Sequence, residues 1–333
     1  MKIEKNISLL PYNTFGIDVR ADNFYEIYSI DDLPSILKQY PKHLILGGGS
    51  NMLFTNSYHG LVLKPINSEI VVLSEDYENV VVKVGSGVVW DELVKYTVDK
   101  NWSGLENLSY IPGTVGACPI QNIGAYGSEV KDTIVKVEGF YLESMQPFSF
   151  SNEQCSFGYR NSIFKQLLKS KVLIWSVTFK LSKIPKVNIS YGNLMNELTA
   201  YKNITIANVR EVVTNVRKSK LPEPSVIGNA GSFFKNPSVD NNLAQTLVAQ
   251  FPNMPHFDNG DGTVKIPAAY LIEQCGWKGY RKGDAGVHDK QCLVLVNYEK
   301  ATGEQILDLA DEIIESVKNR FKIKLEIEVN IIE

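Results

Sequence analysis

The stretch GNAGSFFKNP, Gly228 to Pro237, surrounds one hydroxyl with residues of very different kinds. Gly228, Ala230 and Gly231 let backbone approach another group closely. Phe233 and Phe234 are too apolar for an ordinary surface turn, and Lys235 and Asn236 add donors beside them. Two readings follow from this window. It is a buried bend with incidental polar groups, or it is a pocket wall that presents the Ser232 hydroxyl to a ligand away from water.

Two glycine loops invite a second kind of chemistry. GGGSN (Gly47, Gly48, Gly49, Ser50, Asn51) lies between two apolar runs. Consecutive small residues can turn several N–H groups toward one anion, or simply make a tight turn. A dinucleotide fingerprint needs G-x-G-x-x-G opening a helix. This loop lacks the third glycine and runs into the apolar MLF. GSGVVW at Gly85 also lacks it, with Trp90 in its place. IPGTVGACPIQNIGAYG, Ile111 to Gly127, is long, glycine-studded and nearly uncharged. Such a loop lies against something large and flat. It is either a buried structural loop or the surface for a flavin, which needs apolar packing on its ring and backbone donors at its edge and pyrophosphate.

Regular elements must hold these segments. HLILGGGSNMLF predicts strand, loop, strand, and GLVLKP another short strand. NVVVKVGSGVVWDELVKYTVDKNW predicts strand, turn and helix, with Leu93, Tyr96 and Thr97 on one helix face. KVLIWSVTFKL is β-branched and aromatic, the composition of a strand. After the polar junction SKIPKVNISYGNLMNEL, ANVREVVTNVRKSKLPEP places Val209, Val212, Val213 and Val216 on one side of a helix that Leu221-Pro222 stops. QCLVLVNYEKATG predicts a strand and turn. GEQILDLADEIIESVKNRF repeats apolar residues at Ile306, Leu309, Ile313, Val317 and Phe321, an amphipathic helix. In KIKLEIEVNII, Ile323, Leu325, Ile327, Val329 and Ile331 alternate, so they share one face of a strand. Lys324, Glu326, Glu328 and Asn330 take the other face, which makes Glu328 a solvated residue by pattern. Runs of strands with interspersed helices predict an α+β fold.

The 333 residues suit two or three domains and a sizeable core, with 44% hydrophobic and 21% charged residues. A net charge of −3 without a basic block argues against nucleic acid or membrane surfaces as partners. Cys118, Cys155, Cys275 and Cys292 are widely spaced and form no C-x-x-C, and the four histidines are scattered, so no metal centre is expected. Free thiols, no cleavable signal pattern and no apolar run of membrane-spanning length make a cytoplasmic protein the expectation. A monomer is expected.

YNTFGI, LGGGSNMLF, LENLSYIPGTVGACPIQNIGAYG, FGYRNSIFK, KLPEP, GNAGSFFKNP, LIEQCGWKG and LEIEV occur in one order along nearly the whole chain. Together they resemble the UDP-N-acetylenolpyruvoylglucosamine reductases, flavoenzymes of peptidoglycan precursor synthesis. SYGNL at Ser190 to Leu194 resembles the tyrosine-bearing loop of that family's first type. The resemblance implies a two-part FAD-binding fold of the vanillyl-alcohol-oxidase class. It implies FAD-binding parts at 1–66, possibly joined by the C-terminal strand, and at 67–206. A substrate domain at 207–333 would follow. Non-covalent FAD would be held by Gly47, Gly48, Gly49, Ser50 and Asn51, and by Pro112, Gly113, Gly116, Ala117, Gln121, Asn122, Gly124, Ala125, Tyr126 and Gly127.

The implied reaction has NADPH reduce the flavin, which then reduces the enolpyruvyl C=C of a UDP-sugar. Negative charge builds beside the carboxylate, so the site needs a charge stabiliser and a proton donor. By resemblance Arg160 and Glu328 stabilise, and Ser232 gives the proton. An arginine keeps its charge and grips a carboxylate by two hydrogen bonds. Glu328 helps only if burial keeps it protonated. The family usually has proline between its two terminal glutamates; here Ile327 stands there, and Glu328 is chosen as the second position of the motif. Tyr159 would support Arg160. Tyr191, Lys220, Asn236, Lys278 and Gln291 would bind the diphosphate-bearing substrate. The competing readings are an oxidase of the same fold and a sugar-nucleotide binder without activity.

Overall fold

The computed structural model describes residues 2–190, 192 and 194–333. The chain divides into two units: Met1–Ile7, Ala21–Gly48 and His59–Ser219 form the first, and Ser8–Arg20, Gly49–Tyr58 and Lys220–Glu333 the second. The boundary therefore falls inside GGGSN, after Gly48.

The first unit carries two larger sheets. One orders the strands Glu4–Ser8, Arg20–Ile27, Tyr58–Pro65 and His43–Ile45, the last two parallel. The other is antiparallel, in the order Pro147–Ser151, Ile134–Tyr141, Val172–Ser182, Asn79–Gly85 and Ile70–Glu75. Its central strand, the β-branched run read from the sequence, is buried over most of its length. Helix Trp90–Asp99 buries Trp90, Leu93, Val94, Thr97 and Val98, so its apolar side faces the core. Helix Ile206–Lys220 buries Ile206, Val209, Val212 and Val213, so the apolar face gains a residue at its start, while Val216 is only half-buried at its end.

The second unit has an antiparallel sheet ordered Gly228–Ser232, Val294–Asn297, Ala285–Val287 and Arg281–Lys282. Helix Gly303–Phe321 packs Ile306, Leu309, Ile313, Val317 and Phe321 into the same core. Its start is a capping box: Thr302 Oγ1 accepts from Gln305 N at 3.2 Å, and Gln305 Oε1 accepts from Thr302 N at 2.9 Å.

The C-terminal run departs from simple alternation. Ile323 and Leu325 are buried and Lys324 and Glu326 exposed, as the pattern requires. The phase then breaks: Ile327 is half-buried, and Glu328 and Val329 are both buried. The reason is a change of partner. Ile327 bridges Phe234, whereas only Asn330–Ile332 forms a regular strand, pairing in parallel with Met52–Phe54. A segment that bridges one neighbour and then pairs with another cannot keep one face to one side.

Candidate active site

In the first unit, the glycine segments pack main chain against main chain. A Cβ on Gly48 would lie 2.8 Å from Gly113 Cα, and one on Gly47 would lie 2.9 Å from Thr114 Oγ1. Gly116 is closed off in the same way by Ser86, at 2.6 Å from its would-be Cβ. The loop is also stitched to GSGVVW: Gly116 N donates to Ser86 O, Val115 N to Val88 O and Trp90 N to Gly113 O. Side chains are thus excluded where these segments cross, and main chain, with its N–H and C=O groups, makes up the surface there, the chemistry suited to the edge and pyrophosphate of a flavin dinucleotide. In the second unit Gly49 has φ +61°, and the Tyr12 carbonyl occupies the space a Cβ would need.

The rest of the long loop is a tight construction. Gly124–Ala125 pairs with Ser128–Glu129, and the connecting Tyr126 and Gly127 both have positive φ, +47° and +79°. That is the signature of a two-residue hairpin turn matched to strand twist. Asn122 is fully buried, and its side chain is committed to protein. Its Nδ2 donates to Glu129 Oε2 and Gly158 O, both at 3.0 Å, while its Oδ1 accepts from Lys131 N at 3.1 Å. Its side chain is a strut beneath the loop. Gln121 Oε1 accepts from Lys165 Nζ at 3.1 Å.

The same strut reaches the turn that bears Arg160. Gly158 and Asn161 exchange backbone hydrogen bonds at 3.0 and 3.2 Å, which leaves Tyr159 and Arg160 at the tip. Arg160 sits at φ +50°, a conformation that costs a non-glycine residue energy and often marks a functional position. Its Nη2 donates to Gly124 O at 2.8 Å, so this guanidinium rests on the glycine loop itself. Tyr159 is 44% exposed, with the Arg160 guanidinium 5.5 Å from its ring centre.

Sequence reasoning missed the cationic framework behind this loop. Arg210 grips Asp91 with both nitrogens, at 2.7 and 2.9 Å, and Asp91 also accepts from Tyr110 N. Arg217 Nε donates to Tyr110 O at 2.9 Å. Tyr110 itself has φ +58°; Asp91 and Arg217 hold this residue, which leads into IPGTVG, and Arg210 braces Asp91. Burial lowers the Arg217 guanidinium below its ordinary value, and the nearby Arg160 charge adds to that against Tyr126, Asp91 and Tyr110. A signal does exist in the chain: Arg210 and Arg217 are seven residues apart, two turns along one side of the helix.

In the second unit GNAGS proves to be a strand with an irregularity. Asn229 pairs with Val296 and Ser232 with Val294, so register shifts between them. Gly231, at φ +69°, takes up the bend, and its N–H is held by Asn229 Oδ1 at 3.0 Å. A bulge of this kind re-aims the next side chain, here the half-buried Ser232. Phe233 and Phe234 are core residues, packed edge to face at 5.3 Å between ring centres. The bend is thus largely buried, with Asn229, Ala230, Phe233 and Phe234 inside and Ser232 half-buried.

The structure also separates the two terminal glutamates. Lys235 N donates to Glu326 O at 2.9 Å and Glu328 N to Phe233 O at 2.8 Å, on either side of the Phe234–Ile327 bridge. Glu328 is only 8% exposed and stands beside the serine segment, whereas the Glu326 side chain is 73% exposed and pairs with Lys235 at 2.9 Å. Asn51 belongs to this cluster, since its carbonyl accepts from both Asn330 N and Asn330 Nδ2 at 3.0 Å.

The remaining binding candidates are dispersed. Asn236 Oδ1 accepts from Ala268 N at 2.9 Å, at the start of helix Ala268–Gln274. Lys278 pairs with Glu273 at 2.7 Å, and that hydrogen bond raises the ammonium above the usual lysine range. Gln291 Oε1 accepts from Leu293 N at 3.3 Å, inside a turn. Lys220 is exposed at a helix end. Tyr191 lies outside the described residues.

Known proteins resemble this chain in sequence and fold. Residues 24–140 match the profile of an FAD binding domain, and residues 223–332 match that of the UDP-N-acetylenolpyruvoylglucosamine reductase C-terminal domain. The chain is 46% identical to the UDP-N-acetylenolpyruvoylglucosamine reductase of Flavobacterium johnsoniae, covering 100% of both sequences. It is 45% identical to the reductase of Chromobacterium violaceum, covering 98% of each. The crystal structure of UDP-N-acetylenolpyruvylglucosamine reductase from Thermus caldophilus superposes with a TM-score of 0.70 at 23% identity, covering 100% of both chains, and so shares the fold. The chain belongs to the UDP-N-acetylenolpyruvoylglucosamine reductase family, and it is an oxidoreductase with an FAD-binding domain.

Proposed function

We propose that this enzyme reduces the enolpyruvyl C=C bond of UDP-N-acetylglucosamine enolpyruvate to give UDP-N-acetylmuramate, with NADPH as the reductant, in peptidoglycan precursor synthesis. Bound FAD would supply the hydride chemistry, carrying two electrons from NADPH to the substrate double bond. The glycine segments at 47–51 and 112–127 hold the cofactor by main-chain donors, with Asn122 acting as support. Arg160 grips the substrate carboxylate and spreads the charge that develops on the adjacent carbon. Buried Glu328, in its protonated form, donates to the same enolate oxygen. The Ser232 hydroxyl then gives its proton to the carbon, so C=C becomes CH–CH and the alkoxide is reprotonated from solvent. Tyr159, Tyr191, Lys220, Asn236, Lys278 and Gln291 orient the sugar diphosphate.

The observation that supports this reading best is the pairing of the Ser232 and Glu328 segments through the Glu328 N–Phe233 O hydrogen bond. It sets an alcohol and a buried carboxyl on neighbouring segments of one unit, while the alternating sequence alone would have left Glu328 in solvent. The test is direct. Purified protein should have a flavin spectrum and consume NADPH only when the enolpyruvyl sugar nucleotide is present. Rapid reoxidation of the reduced protein by oxygen, with none by that substrate, would refute the proposal.

A further inference from the structure

Asn107 belongs to a short, well-fixed turn, Glu106–Leu108, beneath the long glycine loop. Glu106 holds that turn by accepting from Ser103 Oγ at 2.8 Å and Gly104 N at 2.6 Å, and Trp90 Nε1 donates to Leu108 O at 2.8 Å. Asn107 is itself buried, and its amide spends its two N–H donors in two directions. One goes to Tyr126 O at 2.9 Å, in the tip of the cofactor-loop hairpin. The other goes to Asn188 O at 2.8 Å, in the segment that leads to Tyr191.

Asn188 returns the contact. Its Nδ2 donates to Gly127 O at 3.0 Å, and its Oδ1 accepts from Ser190 Oγ at 2.9 Å and from Ser190 N at 3.3 Å. Two amide side chains thus tie both residues of the hairpin tip to the main chain up to Ser190. Tyr126, Val187 and Ile189 add an apolar clamp, since all three pack against one buried cluster that includes Leu194 and Leu198. None of these bonds is made within a regular sheet or helix, so the amides and this clamp fix the register of the segment against the loop.

We infer that Asn107 and Asn188 are positioning residues: they lock segment 187–190 onto the Tyr126–Gly127 tip, so that this segment and the cofactor loop set as one piece. Ordering of the cofactor loop by FAD then orders segment 187–190, which leads to the substrate-binding tyrosine in the chain. The part concerning substrate rests on the function proposed above; the part concerning loop order does not.

The experiment measures amide exchange over residues 186–198 in the FAD-loaded enzyme and in apoenzyme, for wild type, Asn107→Asp and Asn188→Ala. Asp has the shape of Asn but cannot supply the two donors. In wild type, FAD slows exchange of this segment. In Asn107→Asp that protection falls by about thirtyfold, the effect of losing two net hydrogen bonds. KM for the enolpyruvyl sugar nucleotide rises by about the same factor, while kcat and the rate of flavin reduction by NADPH stay within about twofold. Asn188→Ala has the same split at smaller size, and it decides the question if Asn107→Asp does not fold. Unchanged exchange over 186–198 in both variants overturns the inference. So does an equal loss in KM, kcat and FAD affinity, which marks a merely structural role. A wild-type enzyme that ignores the sugar nucleotide defeats the proposed function instead, and the exchange comparison still decides this inference.

Discussion

The close approach of the two glycine loops offers a sharp test of how the cofactor is held. Gly48→Ala adds one methyl group whose carbon would stand 2.8 Å from Gly113 Cα, 3.3 Å from Gly113 C and 3.4 Å from Gly113 N. No positive φ is required at Gly48, so the effect is steric rather than conformational. The first contact lies about 0.6 Å inside the 3.4 Å at which ordinary van der Waals contact begins. The obstacle is backbone, with no side chain that can swing aside, so the loops must part. Overpacking of this kind costs about 1–3 kcal/mol. If the strain falls on the FAD-bound arrangement, affinity for FAD drops by roughly 5- to 150-fold. The assay titrates FAD into apoprotein and follows quenching of flavin fluorescence, with a thermal melt run in parallel. Gly158→Ala serves as control, because its methyl would meet only Asn161 Cβ at an ordinary 3.8 Å. A Gly48→Ala protein with wild-type FAD affinity and wild-type Tm refutes the reasoning. A loss confined to Tm would mean that the crossing serves the fold and not the cofactor.

Three further outcomes are expected. Ser232→Ala slows reoxidation of the reduced enzyme by substrate at least about a hundredfold and leaves reduction by NADPH nearly unchanged, because the proton is needed only in the second half-reaction; stopped-flow absorbance of the flavin separates the two, and equal slowing removes Ser232 from the acid role. For Asp91, burial raises the carboxyl and is the largest single influence, yet Arg210 and the Tyr110 N–H together outweigh it and hold the group below its ordinary value. The wild-type contribution is therefore complete above the unfolded value of about 3.9 and lost only as pH falls below it. In Arg210→Ala the uncompensated burial dominates, so the variant loses about 1–3 kcal/mol at neutral pH, less than a fully buried pair would cost, and the deficit shrinks as pH approaches 4; chemical denaturation across that range checks the sign. Thr302→Ala removes the helix cap that Gln305 shares and lowers stability by about 1 kcal/mol, read from the denaturation midpoint with FAD content unchanged.

Much of the framework is legible in the chain alone. The β-branched run at 172–182, the valine face at 209–213 and the heptad-like apolar positions of 306–321 each form the element their period requires. Period is a local property: a helix or strand must bury the stripe that its own geometry creates. The glycine loops are legible as places where backbone approaches something, and GGGSN and IPGTVG do so, against Tyr12, Gly113 and Ser86. What they approach is not legible, since a glycine records only that a side chain is missing.

Residue order settles which segments are strands, helices and side-chain-free loops, and it brings Arg160, Ser232 and Glu328 forward through the motifs around them. Packing between distant segments settles which groups are withdrawn from water and what they lean on. Alternation makes Glu326 and Glu328 equivalent, and only the change of partner between Phe234 and the Met52–Phe54 strand buries one and leaves the other exposed. Likewise, Asp91, Arg210, Arg217 and Asn107 look like ordinary surface residues in the chain, because their partners lie far away in sequence. Burial and long-range pairing depend on how elements meet, and no local period encodes that meeting.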